Sequence, residues 1–130
     1  RSKLKFNDEL YADLLKAEAS LSVNVIKSVE SLKIVKNHSE AGKGWIKIMW
    51  STVGDDSHVD GYEIYRSTKK NSGYGTKPIF TTKNPANKWY KNTAGLKKGT
   101  RYYYKVRAFV EIDGQKYYSD WSNKAYRIAK

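Results

Sequence analysis

Two groups of residues have the types and spacing to do chemistry. The first is "GDDSHVDG", residues 54 to 61, where Asp55, Asp56 and Asp60 lie within six residues of one another. Clustered carboxylate oxygens are what a hard cation such as calcium takes. The spacing is not that of an EF-hand loop, and Asp, Ser and Gly are the ordinary residues of a turn. The second group is aromatic and cationic: "TRYYYKVRAF", residues 100 to 109, and "YSDWS", residues 118 to 122. Tyrosine and tryptophan faces attract cations, and they also stack sugars or bases.

Other chemistry finds little support. There is no cysteine, so thiol nucleophiles, disulfides and thiolate-bound metals are excluded. No Gly-x-Ser-x-Gly elbow, P-loop or zinc motif occurs. His38 and His58 stand apart in loop-like sequence, with no partner at metal-ligand spacing. Acid pairs for glycoside chemistry need a cleft that holds both carboxylates, and the acids here fall in loops. The expectation is a chain that is not an enzyme and that needs no cofactor or metal.

The 130 residues favour one principal domain. Lys and Arg number 25 against 13 Asp and Glu, a formal net charge of +12. That balance suits anionic partners: nucleic acid, wall or glycosaminoglycan-like polymers, or anionic membranes. The lysines are spread along the chain and are densest only in the pairs Lys69-Lys70 and Lys97-Lys98, as on a solvated surface. Nucleic acid is not expected. No apolar run approaches the ~20 residues of a membrane span. With Arg1 first and no signal peptide, the chain reads as a piece of something larger.

The elements that position these groups can be read from hydrophobic periodicity. Residues 1 to 19 predict a helix, with Asn7 as N-cap and an apolar stripe of Phe6, Leu10, Leu14, Ala17 and Leu21. Leu21, Val23 and Val25 alternate, which predicts an extended segment over residues 20 to 30. From residue 31 seven short β-rich runs follow, separated by Gly, Asn, Asp and Pro: "SLKIVKN", "WIKIMWS", "DGYEIYRS", "KPIFTTK", "KWYKNT", "TRYYYKVRAF" and "KYYSDWSNKAYRI". In the sixth, Tyr102, Tyr104, Val106 and Ala108 share one face, while Arg101, Tyr103, Lys105 and Arg107 share the other. One apolar and one basic face mean a half-buried strand.

"GLKKGTRYYYKVRA" resembles the E–F corner and F strand of a fibronectin type III domain, where a leucine, a turn and Tyr-x-Tyr-x-Val-x-Ala recur. The likeness implies that Tyr102 is a tyrosine-corner residue whose hydroxyl returns to the backbone upstream, with Leu96 ahead of it. Trp50 matches that family's buried strand-B tryptophan, with Ile46 and Ile48 on its face, and "DGYEIYRS" matches strand C, with Tyr62 and Ile64 inward. "NTAGL" is one residue longer than the family's usual corner. The resemblance covers residues 31 to 128. It implies a seven-stranded antiparallel β-sandwich, immunoglobulin-like, over residues 31–130, preceded by a helical and extended segment over residues 1–30. The lysine-rich, cysteine-free style is similar to modules of large surface proteins of Gram-positive bacteria.

"YSDWS" is similar to the WSxWS box of cytokine-receptor fibronectin domains, with Tyr118 in place of the first Trp; the cysteines of those receptors are missing. The likeness implies a ladder on the outer sheet face, in which Tyr118 and Trp121 stack with Lys105 and Arg107. An Asp113-Gly114 hairpin with simple pairing would set Arg107 opposite Asp120 and turn Trp121 inward. The ladder needs a bulge that turns Trp121 outward, and that bulge is the expectation.

Antiparallel pairing is expected to bring Tyr65 near Tyr103 and Glu63 near Lys105 on the same face. Tyr65, Tyr103, Lys105, Arg107 and Trp121 are therefore the candidate ligand residues, for a glycan or an anionic polymer. Trp50, Tyr62, Leu96, Tyr102, Tyr104 and Tyr118 are the candidate structural ones. No Arg-Gly-Asp occurs. The expected role is a non-catalytic extracellular module of a bacterial surface protein, a spacer or adhesion unit whose partners are neighbouring domains. The alternatives are a glycan-binding module and an accessory domain of a secreted carbohydrate-active enzyme or protease.

Overall fold

The structure, a computed structural model, describes residues 33–54 and 56–130, together with Ile26. The helix expected over residues 1–19, the segment boundary at residue 30 and Asp55 lie outside the described residues. Ile26, in the stretch read as extended, has helical backbone.

The described chain is all-β, built as two antiparallel sheets. In chain order the strands are β1 (Lys33–Gly42), β2 (Trp45–Val53), β3 (Gly61–Ser67), β4 (Phe80–Thr82), β5 (Trp89–Asn92), β6 (Arg101–Ile112), β7 (Gln115–Tyr118) and β8 (Ala125–Ile128). One sheet has the order β1-β2-β5; the other has β4-β3-β6-β7, with β8 also pairing β6. Each of the seven β-rich runs supplies a strand. The last supplies two, β7 and β8, so the described residues hold eight. β1 runs on to Gly42, and this puts His38 in a strand opposite Met49, not in a loop.

Period-two alternation builds the core. Ile46, Ile48 and Trp50 leave β2 on one side, and Tyr62 and Ile64 leave β3 toward them. Tyr102, Tyr104, Val106 and Ala108 close the space from β6. The Trp50 and Tyr62 rings meet edge to face across the sheets at 5.4 Å. Tyr62, Tyr104, Ile46, Ile48, Ile64 and Val106 are fully buried. Each apolar side chain so buried contributes roughly 1.5–3 kcal/mol, which is what stabilises a chain without disulfides.

The buried tyrosines keep their hydroxyls bonded. Tyr62 donates to the Pro85 carbonyl at 2.9 Å and Tyr104 to Asn92 Oδ1 at 2.9 Å. Burial pushes the Tyr62 phenol up to about 12, and it pushes Tyr104 up as well. Tyr102 Oη accepts the Lys97 N–H at 2.7 Å and lies 3.4 Å from the Gly95 carbonyl, to which it donates. That bond clamps the turn before β6, and Leu96 packs against the core there. The Asp113-Gly114 pair closes the β6–β7 hairpin with φ of 52° and 78°, as a two-residue turn of this composition requires.

Candidate functional site

The outer face of the larger sheet gathers the aromatic and cationic residues singled out in the sequence. Its register differs from the expected one by two residues. Tyr65 lies opposite Lys105, and Glu63 lies opposite Arg107; Tyr103 pairs with Ser67 instead. β3 and β6 are joined through two other strands, so no tight turn fixes their register, and the alternating pattern fits a slip of two equally well.

β7 and β8 show how Trp121 is placed. Pairing with β6 holds to Phe109–Tyr118 and resumes at Tyr104–Ala125. Between these pairs, residues 119–124 face residues 105–108, two more on the outer strand than on β6. Ser119 and Ser122 take up the difference. The Ser119 N–H donates to the Ala108 carbonyl at 3.0 Å, and its Oγ accepts the Ala108 N–H at 2.9 Å. Ser122 does the same at Val106, at 2.9 Å in both directions. Each serine thus completes a β6 residue's backbone bonding by itself. Three residues advance along the outer strand for every two along β6, and Trp121 is carried to the outer face.

There the side chains interleave. The Arg107 guanidinium lies 3.4 Å from the Tyr118 ring centroid and 4.5 Å from that of Trp121. Lys105 Nζ lies 3.8 Å from the Trp121 ring and 4.5 Å from the Tyr74 ring. Tyr65 meets Trp121 edge to face at 5.1 Å. The order Tyr118, Arg107, Trp121, Lys105, Tyr74 alternates ring and cation. Each such contact contributes ~0.5–2 kcal/mol, more as water is excluded. Burial holds the Lys105 ammonium below its usual range, helped by the charges of Lys124 and Arg107.

A carboxylate anchors the ladder from beneath. Glu63 is 3% exposed. It accepts from Arg107 Nε at 3.1 Å and Lys116 Nζ at 3.0 Å, and from the Tyr65 hydroxyl at 3.3 Å. Arg107 Nη2 also donates to the Tyr65 oxygen at 3.1 Å. The hydrogen bond to Glu63 raises the Lys116 ammonium above its ordinary range. The Tyr65 phenol is raised too, by burial and then by the Glu63 charge. A buried carboxylate without partners costs several kcal/mol, so two cations and a phenol on one acid are mutually required.

The candidate ligand residues therefore fall into two groups. Tyr65, only 5% exposed, together with Lys105, Arg107 and Trp121, belongs to one network whose ring faces and charges meet each other. Tyr103 lies beyond it, tilted against Tyr126 at 5.6 Å. Tyr118, expected as structural, is the outermost rung beside Arg107. Ser119, Ser122 and Lys116 were not singled out from the sequence; the Ser-x-x-Ser spacing of "SDWS" was the available signal. In "GDDSHVDG", Asp56 pairs with Lys88 at 2.7 Å, and this bond lowers its carboxyl below the usual range. Asp60 Oδ2 accepts the Glu111 N–H at 2.7 Å. Among the described residues no three His, Asp or Glu side chains group as for a metal ion.

A second aromatic and cationic group lies on the outer face of the smaller sheet: Trp45 and Lys47 from β2, Trp89 and Lys91 from β5. These residues were not singled out from the sequence; the repeated Trp-x-Lys at 45–47 and 89–91 was the available signal.

No family model matches the chain, and no curated protein matches it in sequence. Among solved structures it is similar to the pectate lyase PelI from Erwinia chrysanthemi, solved in complex with tetragalacturonic acid. The TM-score is 0.51 and the identity 20%, over 72% of this chain and 27% of the lyase. The chain thus matches about a quarter of that enzyme's length, and at this identity the likeness is one of fold.

Proposed function

We propose that the chain carries a non-catalytic fibronectin type III module, a seven-stranded sandwich in family terms with its last strand divided, that serves as a spacer in a larger extracellular bacterial protein. One observation carries this reading: the polypeptide passes from one end of the sheets to the other. Lys33 pairs with Val53 beside the 54–60 loop, whereas the Lys130 carbonyl accepts the Gly44 N–H at the far end. A domain strung between neighbours needs that arrangement. The Tyr102 clamp and the closed ladder on the larger sheet support the same reading, because both stabilise the module without a ligand.

A second reading, an accessory domain of a secreted carbohydrate-active enzyme, is favoured by the fold likeness to about a quarter of a pectate lyase. Both readings expect the isolated chain to cleave nothing. Incubation with polygalacturonate should yield no unsaturated product, and turnover by the pure chain would overturn both. Placed between two folded reporter domains, the chain should hold them apart by at least the length of the ten-residue β1, about 30 Å. Scattering that finds the reporters side by side would remove the spacer reading alone.

A further inference from the structure

On the outer face of the β1-β2-β5 sheet, Lys47 and Lys91 are direct cross-strand partners, and Trp89 sits opposite Met49. The two lysines cross between strands. Lys47 Nζ is 5.2 Å from the Trp89 ring centroid, and Lys91 Nζ is 4.6 Å from that of Trp45. Trp45 itself lies across Gly42, where a Cβ would come within 2.2 Å of its Cε2. Glycine at that point lets the indole lie down on the sheet.

Two features separate this group from the ladder on the opposite sheet. The first is the exposure of Trp89, which at 53% is the most exposed large apolar residue described, while Trp45 is half-buried. Each of its rings meets a single lysine on a flexible stem, not an arginine held between two rings. The second is charge. Like charges directly opposite each other destabilise a sheet. Glu40 stands across from Lys47 on β1, yet among the described residues neither Lys47 nor Lys91 has an ion-pair partner. A carboxylate at each ammonium group would offset that repulsion.

We propose that this face binds an acidic polysaccharide, with sugar rings stacked on Trp89 and Trp45 and their carboxylates taken by Lys47 and Lys91. Trp45 and the partner of Trp89 are four residues apart on β2, about 13 Å, and the strands lie ~4.8 Å apart. The backbone positions that carry the two platforms are therefore about 14 Å apart, a span for a short run of consecutive sugars. Each ammonium lies close to a ring centroid. That position suits a charge borne by the stacked ring itself, as in a uronic acid. In a nucleic acid the phosphate is separated from the stacked base by the sugar. Beyond Trp45 the track opens into a cleft lined by Glu40, Ala41, Tyr126, Arg127, Ile128 and Lys130, in which two cations stand against one carboxylate and which would receive the chain's continuation. The site is compatible with either reading above, and its test is a binding measurement, independent of turnover and of spacing.

The test uses the full chain with oligogalacturonate, over a range of salt. The neutral cello-oligosaccharide of equal length and single-stranded oligo-dT serve as comparison probes. Trp89→Ala should weaken oligogalacturonate binding at least about tenfold, a loss of roughly 1.4 kcal/mol. Lys47→Gln/Lys91→Gln should weaken it and flatten its salt dependence. Lys69→Gln/Lys70→Gln removes the same charge elsewhere and should leave the affinity within about twofold once salt reaches ~0.15 M, where distant surface charges are screened. The proposal is overturned if the parent shows no binding, or if Trp89→Ala binds as the parent does. Equal losses in the two double-lysine variants would mean bulk charge and overturn it too. Tighter binding of oligo-dT with the same variant pattern would assign the face to nucleic acid instead.

Discussion

Replacing Arg107 by alanine tests whether the outer face of the larger sheet is a load of structure or a place for a ligand. The guanidinium donates to Glu63 through Nε at 3.1 Å, its Nη2 lies 3.0 Å from the same carboxylate as an ion pair, and it fills the space between the Tyr118 and Trp121 rings. The Glu63 side chain is 4% exposed. Removing one partner of a buried pair costs ~3–5 kcal/mol, chiefly because the other charge is stranded. Lys116 remains on Glu63 at 3.0 Å and shares the charge, so the lower part of that range applies. The lost ring contacts add ~0.5–2 kcal/mol but overlap with the first effect and do not add fully. The expected loss is about 3–4 kcal/mol, a fall in Tm of more than about 10 °C for a domain near 100 residues. Urea titration followed by tryptophan fluorescence reads it directly, with unchanged slope m marking an unchanged unfolding transition. Arg107→Lys keeps the charge, loses the planar fork and should fall between. Glu63→Gln combined with Arg107→Ala should recover at least about 1 kcal/mol relative to Arg107→Ala alone, because no carboxylate is then stranded. A loss under about 1 kcal/mol for Arg107→Ala, or simple additivity in the double variant, would refute the account of Glu63 as the anchor of the ladder.

Ser119→Ala and Ser122→Ala each strip a buried β6 amide of its acceptor and should cost ~1–3 kcal/mol apiece; hydrogen exchange should quicken at Ala108 in the first and Val106 in the second, and unchanged protection would contradict the bonding described. Gly61→Ala puts a Cβ 1.8 Å from the Thr82 carbonyl oxygen, so β4 must part from β3; a variant melting with the parent would show that this close approach is not needed. At high pH the folded chain should lose stability. Tyr62 holds its proton to about 12 against an ordinary 10.0, and Tyr104 is shifted the same way. The folded state thus binds more protons than the unfolded one above pH 10, and stability complete below 10 should fall as pH rises toward 12. Tyrosinate absorbance should show these phenols ionising only with unfolding; early ionisation in the folded state would contradict their burial.

What the sequence disclosed and what it hid follow from the range of the signals. Inward residues on β2, β3 and β6 were legible because period two needs only one strand to be seen. The Tyr102 bond was legible because its partners lie five and seven residues upstream. The Asp113-Gly114 turn was legible because it is local. The β3–β6 register was not, since nothing short links those strands. Nor was the division of the last run into β7 and β8, which depends on serine hydroxyls standing in for backbone acceptors. The pairing of Trp45 and Trp89 with lysines of the neighbouring strand needs the β2–β5 register, and no single run contains it.

The path of the chain from Lys33 to Lys130 also decides how the module would bear tension. A pull applied at those two residues runs along β1 and β8, so their hydrogen bonds are loaded in shear, side by side, and not unzipped one at a time. β1 holds nine residue pairs with β2, whereas β8 holds four with β6. Side clasps join the two strands: Arg127 Nε to the Ser39 carbonyl at 2.8 Å and Ser39 Oγ to the Tyr126 carbonyl at 3.2 Å. With fewer pairs, β8 should slip before β1 under rising force. Its release would free the C-terminal side while β1 still grips β2, so the module would lengthen in stages as a mechanical fuse does.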